Sequence, residues 1–255
     1  MPQQRKASIG YFWLEGRVWA EFSAYGLNYF ALRRKAPKGD GHAVLVIPGF
    51  LASDVATAPL RSVLSSLGYE VYGWGQGTNH GPSPEVVKKL EAQLKALHAA
   101  HGKVSLIGWS LGGVFARELG RRFPELVRQI ITLGSPFNAT RDRLDPDVVS
   151  LIEKTNGRTL EEMQAQFTTG GNKPPKVPCT AVYSKTDGIA PWRVCHELTP
   201  DATHQNVEVL GSHMGLVVSC SVTLLIADRL AQPEGQWRKF APSGHLDPRD
   251  YPSYS

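Results

Sequence analysis

Short runs of apolar, β-branched residues alternate with longer helical patterns along most of this chain, and this rhythm limits the possible fold more than any other feature. Residues 44–48 contain no polar residue, which is typical of a parallel strand buried on both faces. Further strands are predicted at 69–74, 104–107, 127–133, 177–183 and 207–210. Because helical patterns separate these runs, the sequence predicts an α/β fold with a mostly parallel central sheet flanked by helices.

The predicted helices carry their apolar residues on one side. In the segment that begins at Ser83-Pro84, Val86, Leu90, Leu94 and Leu97 recur at helical spacing while charged residues occupy the other faces. Helices are also predicted at 58–67 and 111–122, and the apolar stretch 214–227 predicts a buried helix. The opening 40 residues, rich in aromatic side chains, are predicted to form a helix that buries one aromatic side.

The chain of 255 residues is predicted to fold as a single domain. Residues 138–176 interrupt the rhythm with two short helical patterns, at 147–153 and 159–167, and then a Gly- and Pro-rich loop. This pattern favours an inserted cap, although an ordinary long crossover accounts for it equally well. The tail 232–255 contains four prolines and is predicted to be irregular, with its aromatic residues docked on the core.

Charge and hydropathy argue against two classes of partner. Lys and Arg number 28 against 23 Asp and Glu, but they are scattered in short groups and form no nucleic-acid module, so no nucleic-acid partner is predicted. The longest apolar stretch, 214–227, is too short to span a bilayer, so no integral membrane segment is predicted. The sequence gives no indication of the oligomeric state.

The cysteines and the first residues of the sequence are used to predict the cellular compartment. Three cysteines without zinc-type spacing, and a start that leads into no apolar signal core, favour the cytoplasm. A disulfide between Cys179 and Cys195 stays open as an alternative, because a secretion signal before this numbering would place the chain in an oxidising compartment.

The segment from Gly108 to Gly113 has the pattern Gly-x-Ser-x-Gly between a predicted strand and a predicted helix. A sharp turn of this kind pushes the Ser110 hydroxyl clear of the backbone, where it can attack a carbonyl carbon. Glycine at 108 and 112 leaves room where larger side chains would collide. In this setting Ser110 is predicted to be a nucleophile, the alternative being a structural Gly-rich turn.

Four motifs together resemble the α/β-hydrolase superfamily, and within it the serine lipases and carboxylesterases, over most of residues 43–230. They are Ile47-Pro48-Gly49-Phe50 after an early strand, the segment 108–113, Thr132-Leu133-Gly134-Ser135-Pro136 after the next strand, and a late Asp and His. Their order along the chain is the family order of nucleophile, acid and base. The resemblance implies an α/β-hydrolase fold and acyl transfer through a serine ester.

The resemblance places the general base on a loop after the last strand, where His213 lies in Gly-Ser-His-Met-Gly. Histidine is suited to take and return the serine proton near neutral pH. His80 is the one serious rival, but it precedes the nucleophile, so it is predicted to be at most a pocket wall. Asp187, directly after a predicted strand, is predicted to orient the base. The less favoured acids are Asp142, Asp145, Asp147 and Asp201.

The resemblance also implies an oxyanion hole made by the backbone N–H groups of Phe50 and Leu111. Pro48 stands where many relatives have histidine, so side-chain help at that position is absent. Leu51, Trp109, Phe137 and Met214 are predicted to line the substrate site, although Trp109 fits equally well behind the elbow. These apolar residues favour a small, uncharged, hydrophobic ester.

The sequence contains no metal-ligand cluster and no phosphate-binding or dinucleotide fingerprint, so no cofactor is predicted. The favoured function is a carboxylesterase or lipase that works through an acyl-enzyme. A perhydrolase or acyltransferase with the same triad is an alternative that the sequence does not separate. A binding protein on a hydrolase scaffold is a third hypothesis, disfavoured by the complete set of Ser110, Asp187 and His213.

Overall fold

The computed structural model describes residues 15–167 and 173–254. Six strands lie in this part of the chain: β1 Ala43–Ile47, β2 Glu70–Gly73, β3 Val104–Trp109, β4 Val127–Leu133, β5 Cys179–Tyr183 and β6 His204–Glu208. The α-helices are α1 Val18–Lys35, α2 Asp54–Ser66, α3 Pro84–His101, α4 Leu111–Arg122, α5 Pro146–Asn156, α6 Leu160–Phe167 and α7 Cys220–Leu230. This alternation follows the predicted rhythm.

The strands form one sheet in the order β2-β1-β3-β4-β5-β6, and every neighbouring pair is parallel. β1, β3 and β5 are buried along their whole length, as expected for strands that helices cover on both faces. The predicted fold class is therefore confirmed. The strand order reverses between β1 and β3, and sites in sheets of this kind lie at the carboxyl ends of the strands beside such a reversal.

Alternate side chains of β1 enter two separate cores. Val44 and Val46 pack with α1, α2 and α7 on one face of the sheet, and Leu45 and Ile47 pack with α3 and α4 on the other. Successive side chains of a strand point to opposite faces, so a wholly apolar strand requires cover on both sides. The molecule therefore has three layers, with the strand ends free to carry loops.

Residues predicted as one helix over 214–227 form two elements. A 3-10 helix covers Met214–Val218, and α7 begins at Cys220 after Ser219, whose side chain caps it by accepting from the Val222 N–H. The continuous run of apolar residues hid this break. Since a Ser cap ends one helical segment and begins the next, the boundary is set by a single polar residue.

The last strand was predicted at 207–210, but β6 covers His204–Glu208 and Leu210 is exposed beyond its end. The strand contains Gln205 and Asn206, which do not belong to an apolar strand pattern. Gln205 is nevertheless buried, where its side chain donates to Thr180 Oγ1 at 2.8 Å and accepts from the Phe240 N–H. Hydrogen bonds with β5 and the tail stabilise this polar residue inside the fold.

The N-terminal helix α1 has a buried side and an exposed side, and both carry aromatic residues. α1 buries Tyr25 and Leu32 against the core, but Trp19, Phe22 and Phe30 point away from it and are exposed. Tyr29 is half-buried against the core, and Tyr11, Phe12 and Trp13 lie outside the described residues. The side of α1 that carries Tyr25 is buried as predicted, whereas the sequence did not indicate that further aromatic residues occupy the exposed side.

The segment 138–176 holds α5 and α6 where the two short helical patterns predicted helices. Val149, Leu160 and Met163 form a small cluster that joins these helices to each other. The tail is irregular apart from short 3-10 turns at Pro248–Asp250 and Pro252–Tyr254. The assignment of 138–176 as a cap over the site stays a prediction.

The tail docks through two aromatic rings. Phe240 and Tyr251 are buried, with ring centroids 4.8 Å apart, and the Tyr251 hydroxyl donates to the Ser221 carbonyl at 2.9 Å.

No helix within the described ranges is both long and apolar enough to cross a membrane. Cys179, Cys195 and Cys220 are free thiols, so the alternative of a bridge between the first two is not realised.

A buried histidine lies at the amino end of the sheet. His42 contacts Ser105 Oγ at 2.8 Å through Nε2 and the Asp40 carboxylate through Nδ1, and Arg128 pairs with Asp40 at 2.9 Å. Burial lowers the pKa of His42 below its ordinary value, because the charged imidazolium is poorly solvated there, although hydrogen bonding to Asp40 opposes the shift.

Because His42 is buried, we expect the free energy of unfolding to decrease in weak acid. Because the pKa of His42 is lower in the folded protein than in the unfolded chain, protonation favours unfolding, and stability is lost as the pH falls below about 6.5. We expect the free energy of unfolding, measured in urea, to decrease between about pH 7 and about pH 5. The decrease should be smaller in His42→Gln, and an identical decrease in this variant would refute the assignment to His42.

Candidate active site

Ser110 stands on a strained turn between β3 and α4. Its backbone has φ 53° and ψ −125°, a region that non-glycine residues rarely adopt. A Cβ at Gly108 would lie 2.3 Å from the Gly113 backbone, and one at Gly112 would lie 2.1 Å from the Ile47 carbonyl oxygen. The turn therefore requires glycine at both positions, and its shape is the one that lifts a serine hydroxyl above the strand ends.

His213 and Asp187 form a buried pair. Nδ1 of His213 lies 2.7 Å from Oδ2 of Asp187, and both side chains are almost fully covered. The other carboxylate oxygen accepts from the N–H groups of Ile189 at 2.9 Å and Ala190 at 2.7 Å, which fixes the orientation of the carboxylate. A carboxylate at Nδ1 keeps the proton there, so that Nε2 carries the lone pair.

Contacts between the loops bring this pair to the turn that carries Ser110. The Trp109 indole N–H donates to the His213 carbonyl at 3.1 Å, and the Ser110 N–H donates to the Leu133 carbonyl at 2.8 Å. At Gly134, the next residue, a Cβ would lie 3.0 Å from Oδ2 of Asp187 and 3.2 Å from Nδ1 of His213. These contacts place the His213–Asp187 pair beside the ends of β3 and β4, next to the turn that carries Ser110.

The loop after β1 runs directly beside Ser110. A Cβ at Gly49 would lie 3.0 Å from the Ser110 Cβ, so the neighbouring Phe50 is carried to the same edge. Within the described part of the chain, no hydrogen bond uses the Phe50 N–H. Leu111 is the first residue of α4, where a backbone N–H has no acceptor inside the helix. Both N–H groups suit an oxyanion hole.

Comparison with known proteins agrees with this architecture. Residues 84–207 match the family model described as a PGAP1-like alpha/beta domain, a range that includes Ser110 and Asp187 but ends before His213. In the solved structures, Aspergillus fumigatus lipase B superposes with a TM-score of 0.58 at 16% identity, over 81% of this chain and 57% of that chain. LipS and LipT, described as two metagenome-derived lipolytic enzymes, give a TM-score of 0.56 at 16% identity, over 76% of this chain and 93% of that chain.

The chain has the α/β-hydrolase fold.

Sequence relatives of this chain are named as a serine hydrolase and as methyl ester esterases. Human serine hydrolase BPHL is 27% identical over 143 residues, which cover 51% of this chain and 48% of the relative. The pimeloyl-(acyl-carrier protein) methyl ester esterase of Shewanella woodyi is 28% identical over 138 residues, covering 50% of this chain and 53% of the relative. The matched part therefore spans about half the length of each relative.

The predicted substrate-binding residues fall into two groups. Leu51 and Met214 are exposed, at 45% and 40%, and remain candidates for lining a substrate site. Trp109 is buried in the core, with its ring centroid 5.8 Å from that of His213. Phe137 is also buried, and the Arg117 guanidinium lies 3.8 Å from its ring centroid. Neither indole nor phenyl ring presents an open face to a ligand.

Asn79 was missed by the sequence reasoning, although its neighbour His80 was considered. Asn79 is fully buried, and its side chain donates to the Pro48 carbonyl at 2.8 Å. Its backbone carbonyl accepts from the Leu51 N–H at 2.7 Å, and its backbone N–H donates to the Ala52 carbonyl at 2.8 Å. Asn79 thus holds the loop that carries the Phe50 N–H, whereas the His80 side chain is exposed.

Arg17 and Glu21 were also missed. Arg17 donates to the Thr186 carbonyl at 2.9 Å and to the Thr186 hydroxyl at 2.8 Å, next to Asp187. The Glu21 carboxylate accepts from the Ser212 N–H at 3.0 Å and from the Ser212 hydroxyl. A Cβ at Gly215 would collide with Glu21, so glycine makes room for it. The first turns of the N-terminal segment therefore hold the loops of the predicted acid and base.

A buried group of Cys179, Glu197 and His204 has its ligand atoms within 4.8 Å of one another. Glu197 pairs with the two terminal guanidinium nitrogens of Arg117, and the His204 ring nitrogens contact the Asp201 carboxylate and the Pro175 carbonyl, each at 2.9 Å. Burial raises the pKa of the Cys179 thiol to about 12. These partners already use the atoms that would bind a cation, so the group is a structural network.

Proposed function

We propose that this chain is a serine hydrolase that cleaves carboxylic esters through an acyl-enzyme on Ser110. The observation that supports the proposal is the buried pair of His213 Nδ1 and Asp187 Oδ2, 2.7 Å apart, on loops that contact the residues on either side of the strained turn of Ser110. A serine hydroxyl is a weak nucleophile at neutral pH and needs an oriented base of this kind. The names of the sequence relatives, a serine hydrolase and a methyl ester esterase, support the same reaction class.

The first half of the reaction transfers the acyl group to the protein. Nε2 of His213 takes the proton of the Ser110 hydroxyl as Oγ bonds to the ester carbonyl carbon, and the carbonyl oxygen becomes an oxyanion. When this intermediate collapses, the bond to the alcohol oxygen breaks and the alcohol leaves with the proton from His213. Asp187 keeps the imidazole in the required tautomer and stabilises its charged form.

The second half repeats these steps with water. A water molecule gives a proton to His213 as its oxygen bonds to the acyl carbon, and collapse of the second intermediate returns the proton to Ser110 and releases the carboxylic acid. In both halves the N–H groups of Phe50 and Leu111 are proposed to stabilise the oxyanion. Asn79 supports this role, because it fixes the loop on which the Phe50 N–H lies.

The proposed substrate is an uncharged ester with a hydrophobic acyl or alcohol group. Leu51 and Met214 are exposed apolar side chains that directly follow Phe50 and His213 in the chain. Apolar lining favours burial of hydrocarbon over burial of charge.

A kinetic screen of p-nitrophenyl esters from acetate to palmitate, with and without emulsified triglyceride, tests this proposal. We expect saturable hydrolysis of at least part of the series, and labelling of the folded protein by a fluorophosphonate probe. Product analysis with added alcohol or peroxide separates hydrolysis from acyl transfer. A folded chain that neither turns over these esters nor takes up the probe would instead be a binding protein on this scaffold.

Removal of the Glu21 carboxylate tests whether α1 positions the base. In Glu21→Ala the Ser212 N–H loses its acceptor, so we expect the loop of His213 to loosen and kcat to fall about tenfold, with KM changed by less than about twofold. Glu21→Gln keeps an acceptor oxygen and should restore most of kcat. Asn28→Ala, an exposed change on the same helix, is the control; equal kcat in Glu21→Ala and Asn28→Ala would exclude the positioning role.

A further inference from the structure

The outer face of α1 carries large apolar side chains that the fold leaves uncovered. Trp19, Phe22, Leu27 and Phe30 are between 53% and 85% exposed. At about 100° per residue these four positions fall within an arc of about 140° on one side of the helix. Among the described residues, the exposed Trp and Phe side chains all lie on this helix. An apolar patch of this kind marks an interaction surface.

The opposite face of α1 is fixed, so the patch cannot rotate inward. The Tyr25 hydroxyl accepts from the Thr223 hydroxyl of α7 at 3.2 Å, and Leu32 is buried in the same core. Tyr29 contacts Ser62 Oγ of α2 at 3.1 Å. These bonds and packing contacts hold the inner face against two other helices, and Trp19 and Phe30 are therefore kept in solvent.

The C-terminal end of the patch is next to a basic turn of the helix. Arg33, Arg34 and Lys35 form the last turn of α1, directly after Phe30. Glu21, the one acidic residue of α1, is turned inward onto Ser212. A second copy of the chain also has a net charge of +5 and is repelled by this end of the helix. An anionic surface is attracted by it.

We propose that α1 is a docking helix for an anionic lipid surface. Exposed Trp and Phe beside Arg and Lys are the combination by which helices lie in a membrane interface, with the rings among the acyl chains and the cations at the head groups. Glu21 of this helix holds the Ser212 loop, and Arg17, directly before the helix, holds the Thr186 loop, so docking places the predicted catalytic edge close to the lipid.

Vesicle flotation tests this proposal, with the full chain carrying Ser110→Ala so that the lipids are not cleaved. We expect binding to vesicles of phosphatidylcholine mixed with phosphatidylserine, at least about tenfold weaker for phosphatidylcholine alone or at high salt, because cationic residues near an anionic membrane contribute on the order of 1 kcal/mol each. The combined change Trp19→Ser, Leu27→Ser and Phe30→Ser should weaken binding about a hundredfold.

The matched control is Leu151→Ser with Leu198→Ser, which removes exposed leucines from other elements and should leave binding unchanged. Absence of flotation in the full chain at low salt, or equal flotation of the triple variant, would overturn the docking role. If light scattering shows a dimer that the triple variant breaks, without vesicle binding, the patch joins two copies instead. Flotation does not depend on turnover, so it separates failure of docking from failure of the proposed esterase activity.

Discussion

Ser110→Ala is expected to reduce ester turnover by about a hundred-thousandfold or more, which is the scale of loss when the nucleophile of such a relay is removed. The hydroxyl is the atom that bonds to the acyl group, and no other group can replace it once Oγ is absent. The Asp187–His213 pair should remain in place, because neither of its hydrogen bonds uses the Ser110 side chain.

The measurement is kcat with a p-nitrophenyl ester, together with fluorophosphonate labelling. Ser65→Ala, which changes an exposed serine on α2, is the control and should retain full activity. Turnover by purified Ser110→Ala at the wild-type rate would remove Ser110 from the mechanism.

A glycine at the same position gives a second, independent result. Ser110 has φ 53°, which costs a non-glycine residue about 1–3 kcal/mol, whereas glycine adopts this conformation freely. We therefore expect Ser110→Gly to be inactive and yet more stable than the wild type by about 1 kcal/mol in urea unfolding. An inactive variant of raised stability shows that the loss of activity is chemical; lowered stability would contradict the strain assigned to the turn.

Asp187→Asn is expected to lower kcat by about ten-thousandfold while the protein stays folded. The amide is nearly the same size as the carboxylate but carries no charge, and its NH2 group no longer accepts from Nδ1 of His213. The imidazole then loses both its fixed tautomer and the stabilisation of its charged form. Because two backbone N–H groups also point at Oδ1, the amide oxygen is drawn to them and the NH2 group is turned to His213.

Steady-state kinetics of Asp187→Asn should show the loss in kcat with KM changed little. Asp147→Asn, an exposed acid of α5 that the sequence offered as a less favoured alternative, is the matched control. A wild-type kcat in Asp187→Asn, or a comparable loss in Asp147→Asn, would reassign the acid.

Local patterns made much of this protein predictable. The six consecutive residues 108–113 are enough to predict the turn at Ser110, because its tight packing excludes any side chain at 108 and 112. The neighbouring strands β1 and β3 are buried along their whole length, and such strands require helices on both faces. Asp187 and His213 followed from their places after the last strands and from the family order, and the structure puts them in contact.

Other features were hidden because their partners lie far away in the chain. Glu21 and Ser212 are 191 residues apart, and nothing near either one indicates the bond between them. Asn79 looks like an ordinary turn residue until its side chain is seen to hold Pro48. The polar strand β6 was shifted in the prediction, because Gln205 finds partners on β5 and in the tail that no local pattern reveals.

The sequence by itself determined the layered α/β architecture and the turn that presents Ser110, since both depend on the sizes and polarities of residues that are close together along the chain. Only the tertiary structure decided which face of α1 is buried and which loops its charged residues hold. An aromatic residue gains by burial wherever it packs, so the sequence alone does not distinguish Tyr25, which finds a place against α7, from Trp19, which stays in solvent.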